Sequence, residues 1–209
     1  MEKLKNNKKL IIAFIALILF LILVFTIFDN KIAIIDKYIE SFIISIRNER
    51  LTKTMTAITN ISSAYTLIAI TLLLFILMKD KKKSLLIFLN LIYVFLTNQV
   101  VKLLFRRSRP ESDLHLVEAS GFSFPSGHSM VSMAFYGLLA YLIYIKIKNK
   151  FLKVLVIILT IIFIFMIGFS RIYLGVHYFS DVIGGFLLAI TYLMIFIHFN
   201  KDKISGDIK

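Results

Sequence analysis

Three short stretches carry the side chains that could do chemistry together. Lys102 and Arg109 stand seven residues apart, and Pro110 follows at once. Pro125, Ser126, Gly127 and His128 form the second stretch, and the third runs from Ser170 and Arg171 through His177 to Asp181. Between them they supply three cations, two imidazoles and one carboxylate. Arg presents a planar fork of donors that matches phosphate oxygens, and Lys presents a compact point charge. An imidazole beside a carboxylate is a nucleophile or base with a fixed tautomer. A second imidazole can hand a proton to a leaving group. The set is equipped to bind a phosphate and break a bond to it.

Each stretch also has a plainer reading. Lys102 and Arg109, if helical, share a face about 10 Å apart along the axis, and Pro110 would end that helix. Arg106 and Arg107 read as cations that extend to lipid headgroups. Ser126 is a candidate N-cap, and Gly127 lets a ligand approach backbone amides at a helix start, where an anion is favoured. Taken alone, those four residues could be no more than a turn into a helix. His177 and Asp181 are four apart and face the same way if helical, which fits either a catalytic pair or a structural cap. A metal held by His128, His177, Asp181 and Glu118 is disfavoured, because three converging cations repel a divalent ion and neutralise phosphate oxygens themselves. No metal and no cofactor is expected. His115 reads as a surface residue and His198 as remote, while Asn98 and Gln99 either line the site or bond between helices.

The elements that must position these residues are apolar. Of 209 residues, 59% are hydrophobic, well above the roughly 45–50% of soluble domains. There is no cysteine, so disulfides and thiolate chemistry are excluded. Six apolar stretches stand out, near residues 10–28, 63–78, 84–105, 128–147, 151–170 and 181–199. Five approach the ~20 residues of a spanning helix; the second is short and is expected to extend back through 57–64. The first follows four lysines but is long for a signal peptide and lacks a small-x-small site, so it reads as an anchor. Between the first two lies a segment, 29–62, in which Ile35, Ile39, Phe42, Ile43 and Ile46 recur at helical spacing among Asp36, Lys37, Glu40 and Arg47. That pattern predicts an amphipathic helix in the interface, either a connector or a cap over a lipid substrate.

Six spans place both termini on one side. Fifteen of the 25 basic residues then share that face with four acids, a net of about +11, against about +2 on the other. Positive loops stay in the cytoplasm. Both termini are therefore expected inside, with all three stretches outside. The net charge of +13 is a topology signal and not a nucleic-acid surface.

Joined in order, the three stretches resemble the signature of the type-2 phosphatidic-acid phosphatase superfamily: K-x6-R-P, then P-S-G-H, then S-R-x5-H-x3-D. Lys102, Arg109 and Pro110, Pro125 to His128, and Ser170, Arg171, His177 and Asp181 fill every fixed position. The resemblance implies an all-α integral membrane protein, one 209-residue unit of six transmembrane helices in a bundle, its core built from the last four. It implies a metal-independent lipid phosphate phosphatase of the cytoplasmic membrane. In it His177 attacks phosphorus, Asp181 orients His177, and His128 protonates the leaving oxygen. Lys102, Arg109, Arg171, Ser126 and Gly127 hold the phosphoryl group. Undecaprenyl pyrophosphate and phosphatidylglycerol phosphate are the substrates expected first, with phosphatidic acid as the alternative. Two other classes stay open: a haloperoxidase with vanadate in the phosphate site, which six spans disfavour, and a lipid binder or transporter with a vestigial site. Oligomeric state is not legible.

Overall fold

The computed structural model describes residues 2–205, with side chains for residues 7–204. The side chains of Glu2, Lys3 and Lys5, together with Asp207 and Lys209, all counted in the charge balance, lie outside the described residues. Among those described there is no strand. The chain runs α1 (Glu2–Phe28), α2 (Ala33–Ser45), α3 (Glu49–Asn60), α4 (Ala64–Leu77), α5 (Lys81–Phe105), a 3₁₀ turn (Ser112–Leu114), α6 (Gly127–Tyr144), α7 (Lys150–Tyr173), α8 (Phe179–Phe199) and α9 (Lys201–Ser205).

Helix starts are written locally. Asn48, Ser63, Asp80, Ser126 and Asn149 cap α3, α4, α5, α6 and α7, each side chain accepting from a first-turn amide. Such caps satisfy donors that the helix leaves without partners.

The helices α1, α5, α7 and α8 are long and apolar enough to cross a membrane, and α3 with α4 does so as one pair bent by 45°. That gives four described spans, or five with the bent pair, against six expected. The chain is a multi-pass membrane protein. The expected fourth span corresponds to α6, which carries Gly127, His128, Ser129 and Ser132 at its start. It is packed against α5, α7 and α8, so it needs less apolar surface than a lipid-facing helix. The expected backward extension of the second span is present as α3, with a bend at residues 61–63 between it and α4. At ~1.5 Å per residue, α4 alone covers only about two thirds of the ~30 Å apolar core.

At the centre is α8, touching α1, α2, α6 and α7. One apolar cluster joins α4, α5, α6 and α8 around Leu67, Val94, Phe135 and Leu193. Another joins α2, α3, α7 and α8 around Ile43, Met55, Tyr173 and Phe186. The third binds α1 to the segment before α6. In it Phe124 stacks on Phe20 at 5.7 Å between centroids and meets Phe105 edge-on at 5.4 Å.

The segment 29–62 contains two helices where one was expected. On α2 the inward line is Asp36, Ile39, Ile43 and Ile46, while Ile35 and Phe42 are exposed. Asp36, expected among the outward polar residues, is only 3% exposed.

Candidate active site

The third stretch begins at the end of α7 and turns through Gly175 into α8. Gly175 has φ +75°, and any Cβ there would collide with the Leu114 carbonyl. Glycine therefore lets the loop after α5 cross directly over the turn, where Leu116 N donates to Leu174 O at 2.9 Å.

His177 lies in this turn and not on a helix. Asp181 is the third residue of α8, and its Oδ2 accepts from Tyr178 N at 2.9 Å. The pair meets because the capping carboxylate faces the residue before the cap, not because both share a helical face. His177 Nδ1 lies 3.3 Å from Asp181 Oδ2. Nε2 lies 3.2 Å from Arg109 Nη1. With Nδ1–H donating to the carboxylate, Nε2 keeps its lone pair.

The Asp181 carboxylate is fully buried and held from every side. Ser123 Oγ donates to Oδ2, and Arg107 Nη1 donates to Oδ1 at 2.6 Å. The Ser126 amide also reaches the Asp181 carbonyl at 3.0 Å, which ties the start of α6 to α8.

Burial lowers the pKa of His177 from the ordinary value of 6.5 to about 3, with Asp181 opposing the shift and Arg109 and Arg171 adding to it. The ring is neutral at physiological pH. For Arg107, burial works against the charge, but Asp181 and then Asp36 outweigh it and hold the pKa above its ordinary value. Burial lowers that of Arg109, with Asp181 in partial compensation.

A cavity of about 680 Å³ opens beside His177 and is lined by Lys102, Arg109, Arg171, His128, Gly127 and His177, with Asn98, Gln99 and Glu118 at its wall. Seven of the residue positions expected from sequence thus come together here or directly behind, counting Asp181. Ser126 does not line the cavity. It is fully buried, and its Oγ accepts from the hydroxyl of Ser129 at 2.9 Å as it caps α6. Asn98 does both jobs considered for it, lining the cavity and donating to Pro125 O at 3.3 Å. His115 contacts Pro110 O at 3.1 Å, outside the lining.

Lys102 and Arg109 converge differently from expectation. Helix α5 stops at Phe105, and Arg106 at φ 48° caps it. The left-handed residue ends the helix four positions before Pro110 and turns the chain back. Arg109 then donates to Val176 O at 2.7 Å, Ser120 O at 2.8 Å and Gly121 O at 3.1 Å. Lys102 Nζ donates to Phe122 O. Arg171 Nη1 donates to Thr59 Oγ1 at 2.7 Å, and its buried Nε has no partner among the described residues.

Four residues at the site were not expected there: Asp36, Thr59, Arg107 and Ser123. Arg107 was read as a lipid contact. It is instead clamped between Asp181 and Asp36 and lies 4.4 Å over the Tyr178 ring. Among the described residues no three His, Cys, Asp or Glu side chains converge as metal ligands would.

A second cavity of about 500 Å³ lies between α4, α5 and α6. Leu67, Ile68, Phe88, Leu91, Ile92 and Phe95 line most of it. Asn98, Gly127 and His128 belong to the walls of both cavities.

Comparison with known proteins places these features in context. The family model of the PAP2 superfamily matches residues 82–205. The chain is 34% identical over 187 residues to phosphatidylglycerophosphatase B of Bacillus subtilis (strain 168), covering 87% of this chain and 91% of that protein. The crystal structure of a transmembrane PAP2-type phosphatidylglycerolphosphate phosphatase from Bacillus subtilis superposes with a TM-score of 0.83 at 31% identity, covering 91% of this chain and 96% of that one. Aquifex aeolicus LpxE superposes with a TM-score of 0.62 at 25% identity, over 76% of this chain and 92% of its own.

Proposed function

From the premise that this chain belongs to the PAP2 superfamily, we propose that it is a metal-independent lipid phosphate phosphatase working through a phospho-histidine. The observation that carries this reading is the orientation of His177. Its Nδ1 faces Asp181 at 3.3 Å, while Nε2 faces the cationic cavity.

In the mechanism, phosphate displaces carbonyl oxygens from Arg109 and Lys102 and takes the free donor of Arg171. The Gly127 and His128 amides, at the start of α6, are donors that helix geometry leaves unpaired. His177 Nε2 attacks phosphorus and the bond to the lipid oxygen breaks. His128 gives that oxygen a proton, and the alcohol departs. Water then attacks the phospho-histidine, its proton returns to His128, and phosphate leaves. Phosphate monoesters hydrolyse extremely slowly in water, so two smaller barriers and fixed cations replace one large barrier.

The apolar cavity supports a lipid substrate, because it meets the cationic one at His128, the proposed donor to the lipid oxygen. The named relatives favour phosphatidylglycerol phosphate. Undecaprenyl pyrophosphate and phosphatidic acid are the next substrates to compare. The chain would act as one unit of six spans in the cytoplasmic membrane, α6 being the sixth. Its termini would be inside and its site at the outer face, in keeping with the charge asymmetry.

Phosphate release by detergent-purified protein tests this, with EDTA present, on the three lipids and with His177→Ala as control. Release that survives EDTA and vanishes in the variant is expected. Full activity of His177→Ala would overturn the mechanism, and no release from folded wild type would favour a binding or transport role.

A further inference from the structure

Asp36 is a buried carboxylate on a helix outside the three signature stretches, and nothing in the proposed reaction uses it. Its Oδ1 accepts from Ser180 N at 2.9 Å. Its Oδ2 accepts from Ser180 Oγ at 2.5 Å and from Arg107 Nη2 at 2.8 Å. Ser180 is the neighbour of Asp181 and lies in the first turn of α8. The other guanidinium nitrogen, Arg107 Nη1, donates to Asp181 Oδ1 at 2.6 Å and to Ser180 Oγ at 2.7 Å. One cation is thus shared by two carboxylates, one beside His177 and one on α2.

We infer that Asp36 is a positioning residue, which fixes the angle of the Asp181 carboxylate through Arg107 and Ser180 and so the orientation of the His177 ring. This rests on the proposed roles of His177 and Asp181. Three features carry it. Desolvated charges survive only with well-made partners, and all of these partners converge on one point. An anion at the first turn of α8 is favoured by the free amides there, and Asp36 occupies that place from another helix. The planar fork of Arg107 transmits direction as well as charge. A carboxylate held at both oxygens cannot swivel, so the imidazole bonded to it keeps its lone pair aimed into the cavity. The segment expected to be a connector or cap is, at α2, a brace for the catalytic pair. On the same side Arg47 Nε donates to Tyr173 O at 3.1 Å, and Thr52 Oγ1 lies 3.1 Å from the Tyr173 hydroxyl.

The test measures kcat and KM on phosphatidylglycerol phosphate, competitive inhibition by inorganic phosphate, and thermal stability. It compares full-length wild type, Asp36→Asn, Arg107→Ala, the double variant and His177→Ala. Misorientation of an attacking group by a fraction of an ångström costs on the order of tenfold in rate. Asp36→Asn should therefore lower kcat about tenfold while KM and phosphate inhibition stay within about twofold. The double variant should be no slower than Arg107→Ala by more than about threefold, because Asp36 acts through that residue. Should Asp36→Asn not fold, Arg107→Lys keeps the charge without the fork and is expected to show the same loss of kcat alone. With His177→Ala inactive, a wild-type kcat in Asp36→Asn, a parallel loss of phosphate affinity, or additive losses in the double variant would overturn the inference alone. An active His177→Ala would overturn the reading beneath it as well.

Discussion

Two adjacent glycines on α8 give a test of how finely the fold sets the distance between the two histidines. A Cβ on Gly185 would lie 2.8 Å from Ser126 O, 3.1 Å from Ser129 Cβ and 3.2 Å from Met130 N, whereas ordinary contact begins near 3.4 Å. Two of these atoms are backbone at the start of α6, so the helix start that carries His128 must retreat by roughly half an ångström. His177 stays behind, tied to α8 through Asp181. A 1 Å misplacement costs about 10²-fold, so Gly185→Ala should lower kcat about tenfold, or about 1.4 kcal/mol in barrier. A Cβ on Gly184 meets the Phe124 ring instead. That ring is wedged between Phe20 and Phe105, so Gly184→Ala should cost about 1–3 kcal/mol of stability by overpacking with kcat within about threefold. Both changes gain ~1 kcal/mol of helix propensity, so their difference isolates the neighbours. Steady-state phosphate release and thermal denaturation of the two variants side by side make the assay. A wild-type kcat in Gly185→Ala, or a larger kcat loss in Gly184→Ala, would refute the reasoning.

Thr59→Val removes the acceptor of a buried Arg171 donor, at about 1–3 kcal/mol; KM should rise severalfold with a smaller change in kcat, and an unchanged KM would count against Thr59 as the support of Arg171. Ile92→Trp fills part of the apolar cavity. It should slow a long-chain lipid phosphate at least about tenfold and spare a short, water-soluble phosphate ester, since only the former buries apolar surface there; equal slowing of both would detach the cavity from the lipid tail. His177 gives a pH prediction with a definite sign. Its pKa of about 3 lies below the ordinary 6.5, so between these values the unfolded chain binds a proton that the folded chain refuses. The stability contributed is complete above pH 6.5 and declines as pH falls toward 3, by at most about 1.4 kcal/mol per unit. Thermal melts at pH 7 and pH 5 should show a smaller drop for His177→Gln than for wild type, and equal drops would contradict a buried neutral ring.

The cationic cavity was legible because its residues sit in stretches no longer than twelve, and each stretch lies at the end of an apolar run. Types and spacing were enough to bring Lys102, Arg109, His128, Arg171 and His177 to one place. Their local geometry was not: the left-handed Arg106 that turns Arg109 back, and the turn that holds His177 off the helix, are set by contacts outside the motifs. The supporting residues are long-range partners. Asp36 meets Ser180 across 144 positions, Thr59 meets Arg171 across 112, and Ser123 meets Asp181 across 58. Spacing cannot reveal such pairs. One signal was available for Asp36, which stands three, seven and ten residues before Ile39, Ile43 and Ile46, on the apolar line of its own helix. A carboxylate on a buried stripe calls for a cation beside it, and the half-buried Arg107 is that cation. The expected fourth span, α6, is less apolar than α7 and α8 for a related reason, since a helix walled in by protein can carry serines and tyrosines that a lipid-facing one cannot.

The common wall of the two cavities, at Asn98, Gly127 and His128, has a consequence for traffic through the enzyme. Under the proposed mechanism the two products never share a route. On that proposal the lipid alcohol leaves along the apolar cavity while the phosphoryl group is still bonded to His177. Incoming water and outgoing phosphate use the charged side. On the same proposal the order of departure is lipid first, ion second. A crowd of product lipid would obstruct the lateral door without touching the hydrolytic one, and accumulated phosphate would do the opposite.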